Sequence, residues 1–257
     1  MKRIVVLVFT LFLLQGCKSK EIPQVSESPV PTKQAAPLDP ATLGDVSGTI
    51  HFTGKPPAPV KIDTSMDPAC AMSGSSDFRA EQYIVEDGKL ANVYLYVKSG
   101  PPEAMSAAAT TTAPVVLDQK GCRYTPHVVA VMHGGSVSFQ NSDATMHNIH
   151  TMPTIVGNEA IDISQGPKGV PVVKTFKDAE VMMPVRCNNH PWMNAFINIS
   201  PTPFFAISNT DGHFDLKGLP AGQYVLGAVH EKLGEQTLQL TIPAKGSAKA
   251  DFTFVMK

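Results

Sequence analysis

From Val46 onward the chain runs as short stretches rich in β-branched and aromatic residues, closed by Gly, Pro, Asp or Asn. "VSGTIHF", "ANVYLYVK", "PVVLD", "VVAVM", "SVSFQN", "HNIHTM", "VVKTF", "MMPVR" and "AFINI" come first, followed by "PFFAIS", "GHFDL", "QYVLGAVH", "QTLQLTI" and "ADFTFV". Side chains that alternate between apolar and polar suit strands with one face on a core. No long stretch repeats its apolar residues at helical spacing. The pattern predicts an all-β fold of two β-sandwiches. With 257 residues, 43% of them hydrophobic, the chain can bury one substantial core or two. Its formal net charge is -1 and it has no concentrated Lys/Arg block. Nucleic acid is therefore excluded as a partner, because neutralising phosphates needs a basic face.

The N-terminus, "MKRIVVLVFTLFLLQGCKSK", sets Lys2 and Arg3 before an apolar run from Ile4 to Leu14. That run is too short to span a bilayer and matches the basic and apolar regions of a secretory signal. "LQGC" resembles the lipobox of bacterial lipoproteins, although Gln15 replaces the usual small residue. The resemblance implies a signal peptide over 1–16, lipidation of Cys17, and a chain anchored to a cell-envelope membrane facing the periplasm. Lys18, where an Asp would favour inner-membrane retention, points to the outer membrane. Residues 18 to 44 hold five prolines and no aromatic. A disordered tether over 17–44 is expected, since such a composition buries too little apolar surface to fold.

The chemistry-bearing stretch is "VRCNNHPWMNAFINI", which places Cys187, His190 and Met193 at intervals of three. His147 lies forty residues earlier, in "NSDATMHNIH", just after the strand "SVSFQN". Two imidazoles, a thiolate and a weak thioether suit a mononuclear copper ion that shuttles between Cu(I) and Cu(II). Taken singly, each has an ordinary reading: Met193 as core packing, Cys187 as an inert buried thiol, His147 as a polar-face residue and His190 as a loop residue beside Pro191. Their joint spacing favours copper. His150 has strand parity opposite to His147 and should miss the same ion. His51, His127, His133, His213 and His230 have no ligand-spaced companions and read as surface or structural.

"TPHVVAVMHGGSVSFQNSDATMHNIH" together with the Cys-x2-His-Pro-aromatic-Met loop resembles the cupredoxins of the amicyanin and plastocyanin kind. The resemblance implies a Greek-key β-sandwich over 113–201 holding one copper ion. His147, Cys187 and His190 would be the equatorial ligands and Met193 the axial one, with redox proteins as partners. Asn148 would tie the two ligand loops together, and Pro191 and Trp192 would form an apolar rim where the edge of His190 meets solvent. Copper enzymes of this kind place a His beside the Cys ligand, whereas Cys187 is flanked by Arg186 and Asn188, so no enzyme is expected. The alternatives are a copper store or carrier, or a metal-free adhesion module.

"NTDGHFDLKGLPAGQYVLGAVHEKLGEQTLQLTI" resembles the second half of a carboxypeptidase regulatory-like domain, a small transthyretin-like (Ig-like) sandwich. "GDVSGTIHFTGKPP" and "DGKLANVYLYVKSG" resemble its first half. The tail alone holds about five strands, fewer than the roughly seven of an independent sandwich. One discontinuous sandwich is therefore expected, 45–100 plus 202–257, with a linker over 101–112 leading into the inserted copper domain. Three consecutive modules are the alternative. With Cys187 assigned to metal in an oxidising compartment, Cys70 and Cys122 remain. A disulfide between them is the simplest account, and two separate buried thiols the other.

Overall fold

A computed structural model describes residues 37–73, 78–109 and 113–256. The expected signal peptide, Cys17 and most of the expected tether lie outside the described residues. Among those described, strands build four sheets, and each pair of sheets encloses its own apolar core.

The strand Leu43–Thr53 organises the first sandwich. It pairs antiparallel with His213–Pro220 and Lys89–Leu90, and parallel with Ser247–Lys249 and Phe252–Val255. The facing sheet sets Tyr94–Ser99 between Phe205–Ile207 and Gly222–His230, with Gly234–Ile242 beyond. Val46, Ile50, Leu95, Phe214, Leu226 and Phe252 meet in the core between them. Residues before 100 and after 204 thus share one core; we refer to this as the outer sandwich.

Residues 115–200 form the second, inserted sandwich. One sheet runs Asp162–Gln165, His147–Thr151, Glu180–Arg186, Asn194–Ser200, Val128–Met132, and the other Val172–Thr175, Ser136–Asn141, Val115–Gln119, Tyr124–Thr125. Most pairings are antiparallel, but Val115–Gln119 with Ser136–Asn141 and Asn194–Ser200 with Val128–Met132 are parallel. Leu117, Val129, Phe139, Ile149, Val185 and Ile197 are among the residues that fill its core.

Two strands are buried on both faces, which explains why "VYLYV" and "VVAVM" are continuously apolar. Leu95 and Val97 enter the outer core, while Tyr94 and Tyr96 turn the other way, stacked at 5.1 Å, into a small cluster with Ala130 and Val229. Val129 and Val131 likewise enter the inserted core as Ala130 faces that cluster. Gly227 lies against Tyr96: a Cβ there would come within 2.4 Å of the ring, so only glycine fits.

Two boundaries differ from expectation. Residues 38–44, expected in the tether, are folded: Leu38 packs on the outer core, Leu43 begins a strand, and Asp39 caps a 3-10 turn over Pro40–Thr42. Its Asp cap and the proline at the first position favour that turn. The segment 101–112 is also partly folded. Pro102–Met105 forms a helical turn, started by proline, that buries Ala104 in the outer core.

Candidate metal centre

His147 opens the strand His147–Thr151, and Cys187 follows the neighbouring strand Glu180–Arg186, whose Arg186 pairs with His150. The loop after Cys187 closes on itself: the Met193 N–H donates to the His190 carbonyl at 2.9 Å, and the Cys187 N–H to the Met193 carbonyl at 3.3 Å. Strand pairing thereby fixes both ends of the loop before Asn194–Ser200 begins.

Three donor atoms converge. His147 Nδ1 lies 2.9 Å from His190 Nδ1, which lies 3.5 Å from Cys187 Sγ. All three residues are buried, at 0%, 3% and 4% exposure respectively. Met193 is buried in the same core cluster as Cys187. The Asn148 N–H donates to Cys187 Sγ at 3.3 Å, as suits a thiolate acceptor. Asn148 also joins the segments that carry His147 and Cys187: its Oδ1 accepts from the Asn188 N–H at 3.3 Å, and its Nδ2 donates to Asp162 at 2.8 Å. Tyr124 holds the same residue by donating its hydroxyl to the Asn148 carbonyl.

The outer nitrogen of each imidazole meets a carboxylate. His147 Nε2 lies 2.8 Å from Asp143 Oδ2, and His190 Nε2 lies 3.0 Å from Asp67 Oδ2. An Nε2–H donated outward leaves Nδ1 to face the centre, the tautomer that a metal ligand requires. Asp143 is itself held by the N–H groups of Gly121 at 2.7 Å and Cys122 at 2.8 Å.

These contacts shift the titrations. Burial disfavours charge on His147, but hydrogen bonds to Asp143 and Cys187 outweigh it and hold the pKa up at about 9. Burial raises the Cys187 thiol, yet hydrogen bonds from His147, from the N–H groups of Asn148 and Asn189 and from His190 bring it down to about 7. For Asp67 burial is again overcome, by His190, Thr145 and two backbone N–H groups, and its pKa falls to about 2. The donor atoms of His147, Cys187 and His190 all lie within 4.8 Å of one another, close enough to meet on a single ion. The set of two nitrogens and one soft sulfur fits copper, which accepts both donor types in either oxidation state.

The edge of His190 is not a solvent-facing rim. Asp67 covers its outer nitrogen, and Cys70, joined to Cys122 in a disulfide, brings its sulfur to 3.8 Å from the same atom. Pro191 is exposed, but Trp192 is only partly so, its ring 5.1 Å from His190 and its Nε1–H donated to the Cys122 carbonyl at 3.1 Å. The expectation failed because a cover from a distant part of the chain is invisible in the loop's own sequence. Asp67 and Asp143 escaped sequence reasoning altogether. Asp143 stands four residues before His147 and so carried a positional hint; Asp67 carried none.

The remaining histidines stay apart from the centre. His150 Nδ1 bonds the Asn188 side chain at 3.0 Å on the outer side of the strand. His127 is buried against Glu231 at 2.6 Å. His230 is buried nearby, and burial lowers its pKa to about 4.

No protein-family model matches the chain, and no curated protein does. Solved structures do. A methionine-to-alanine mutant of amicyanin in its Cu(I) form is 22% identical, over 41% of this chain and 97% of that one, with a TM-score of 0.31. A copper-containing nitrite reductase from Thermus scotoductus is 22% identical over 40% of this chain, with a TM-score of 0.31; the match spans only 27% of the reductase. A purple cupredoxin from Nitrosopumilus maritimus is 19% identical, over 34% of this chain and 99% of that one, with a TM-score of 0.28.

Proposed function

We propose that this chain is a mononuclear copper protein of cupredoxin type that passes single electrons between redox proteins. The observation that carries the reading is the convergence of His147 Nδ1, His190 Nδ1 and Cys187 Sγ in a buried site, with an N–H already donated to the sulfur. His147, Cys187 and His190 would hold the ion equatorially, and Met193 would supply the axial thioether. Copper bound there supplies a one-electron couple. The protein's part is to hold the donors in one arrangement suited to both oxidation states, so that little reorganises on electron transfer.

Burial of all three donors argues against a carrier, which must expose its metal to hand it on. The outer sandwich, which we assign to the carboxypeptidase regulatory-like type, would serve as scaffold. In this reading the chain is exported, acylated at Cys17 and tethered to the outer membrane, facing the periplasm.

The test is to load the protein with Cu(II) and record the visible spectrum. An intense thiolate-to-copper band that vanishes in Cys187→Ser supports the reading, and reversible voltammetry separates electron transfer from storage. A colourless protein that retains no copper would leave the adhesion module as the better account.

A further inference from the structure

The segment between the strands Leu43–Thr53 and Val85–Glu86 belongs by sequence to the outer sandwich, yet it lies on the metal centre of the inserted one. Asp67 is its point of contact and faces two ways. Oδ1 accepts the N–H groups of Ala69 at 2.7 Å and Cys70 at 3.2 Å, which pins the carboxylate to the turn that follows. Oδ2 accepts from His190 Nε2 at 3.0 Å and from the Thr145 hydroxyl at 2.9 Å. The side chain is therefore oriented by its own backbone and spends its remaining oxygen on a ligand and on the ligand loop of His147.

The Cys70–Cys122 disulfide joins the two halves of this arrangement. On one side, the Cys70 N–H orients Asp67, which holds His190; on the other, the Cys122 N–H orients Asp143, which holds His147. Arg123 adds a further clasp, with its guanidinium 4.1 Å from the centre of the Phe78 ring and 3.2 Å from Glu81. Each half-cystine thus serves the carboxylate of one imidazole.

We propose that Asp67 is a positioning residue for the metal centre, supplied by the outer sandwich and locked by the Cys70–Cys122 disulfide. It fixes His190 with Nδ1 inward and seals its outer edge from water. The outer sandwich is then part of the site as well as its scaffold. The proposal rests on reading the donors as a metal centre, and its test separates the two.

The substitution Asp67→Asn keeps the shape of the side chain and an oxygen for the turn but removes the charge. In metal-free protein labelled with nitrogen-15, His190 should show a protonated Nε2, a preference that Asp67→Asn abolishes. In copper-loaded protein, Asp67→Asn should keep the thiolate-to-copper band, lose metal to a chelator about 10- to 100-fold faster, and shift the potential upward, because a carboxylate that favours Cu(II) is gone. Asp63→Asn, an equal charge change on an exposed residue of the same segment, should do none of this. The Cys70→Ser/Cys122→Ser pair should speed alkylation of Cys187 by iodoacetamide in metal-free protein. Unchanged His190 tautomer and unchanged metal release in Asp67→Asn would overturn the proposal. A protein that takes up no copper would sink the functional reading, while the tautomer and alkylation results would still decide the placement of Asp67.

Discussion

Without metal, the centre keeps a thiolate beside an imidazolium. With Cys187 at about 7 and His147 at about 9, the two charges coexist between those values. From His147 and Cys187 together, a bound ion must displace about two protons below pH 7, about one between 7 and 9, and none above. Copper affinity should therefore climb with pH up to about 9 and then level off, as a competition titration against a chelator of known pH dependence would register. The effects on folding run in opposite directions. The raised His147 pKa contributes stability that is full below 6.5 and lost as pH rises through about 9; the lowered Cys187 pKa contributes above 9.0 and is lost as pH falls through about 7. Across that interval they nearly cancel, so metal-free protein should melt at an almost constant temperature. Cys187→Ser removes one arm and also part of what raises His147, leaving the bond to Asp143; its melting temperature should fall as pH rises above 6.5, over a narrower range than the native His147 would give. Asn148→Ala removes its bonds to the Asn188 N–H and to Asp162, both on exposed residues that water can satisfy; chemical denaturation should show a loss of about 1 kcal/mol.

Among the elements, Tyr94–Ser99 and Gly222–His230 share a close packing constraint, because Gly227 leaves the space that Tyr96 fills. Gly227→Val drives a branched side chain into that ring, and thermal melts should report a destabilisation of about 1–3 kcal/mol. The strands long enough to show a period were legible in the sequence, and so was the spacing of the donors that meet in the structure. Short strands were not. Tyr124–Thr125, Asp162–Gln165 and Ser247–Lys249 offer too few residues for an alternation to register. The hairpin of Val85–Glu86 and Lys89–Leu90 had a better signal in Asp87–Gly88, whose φ values of 46° and 71° are those such a tight turn needs. Asp67 was hidden for a different reason: its partner His190 is 123 positions away, and no local pattern encodes so distant a hydrogen bond.

At the scale of the molecule, the sandwiches meet through the stacked tyrosines and through the buried pair of His127 and Glu231, whose side chains are 3% and 5% exposed. His127→Ala would strand the carboxylate, with Lys232 at 3.4 Å, among the described residues, left to answer it. A loss of about 3 kcal/mol is expected, with faster proteolysis near residues 126–128; an unchanged unfolding curve would show that the pair contributes nothing. The register of Leu43–Thr53 bears on the order of assembly. Its Thr49 N–H reaches Asp251 across 202 positions of chain, whereas the inserted sandwich closes entirely within residues 115–200. Loop-closure entropy makes the remote pairing the slower event. The inner layer can therefore mature while the flanking one is still an open ribbon, and a polypeptide halted before Phe252 would retain its donors yet leave the long organising strand with an unguarded, sticky border.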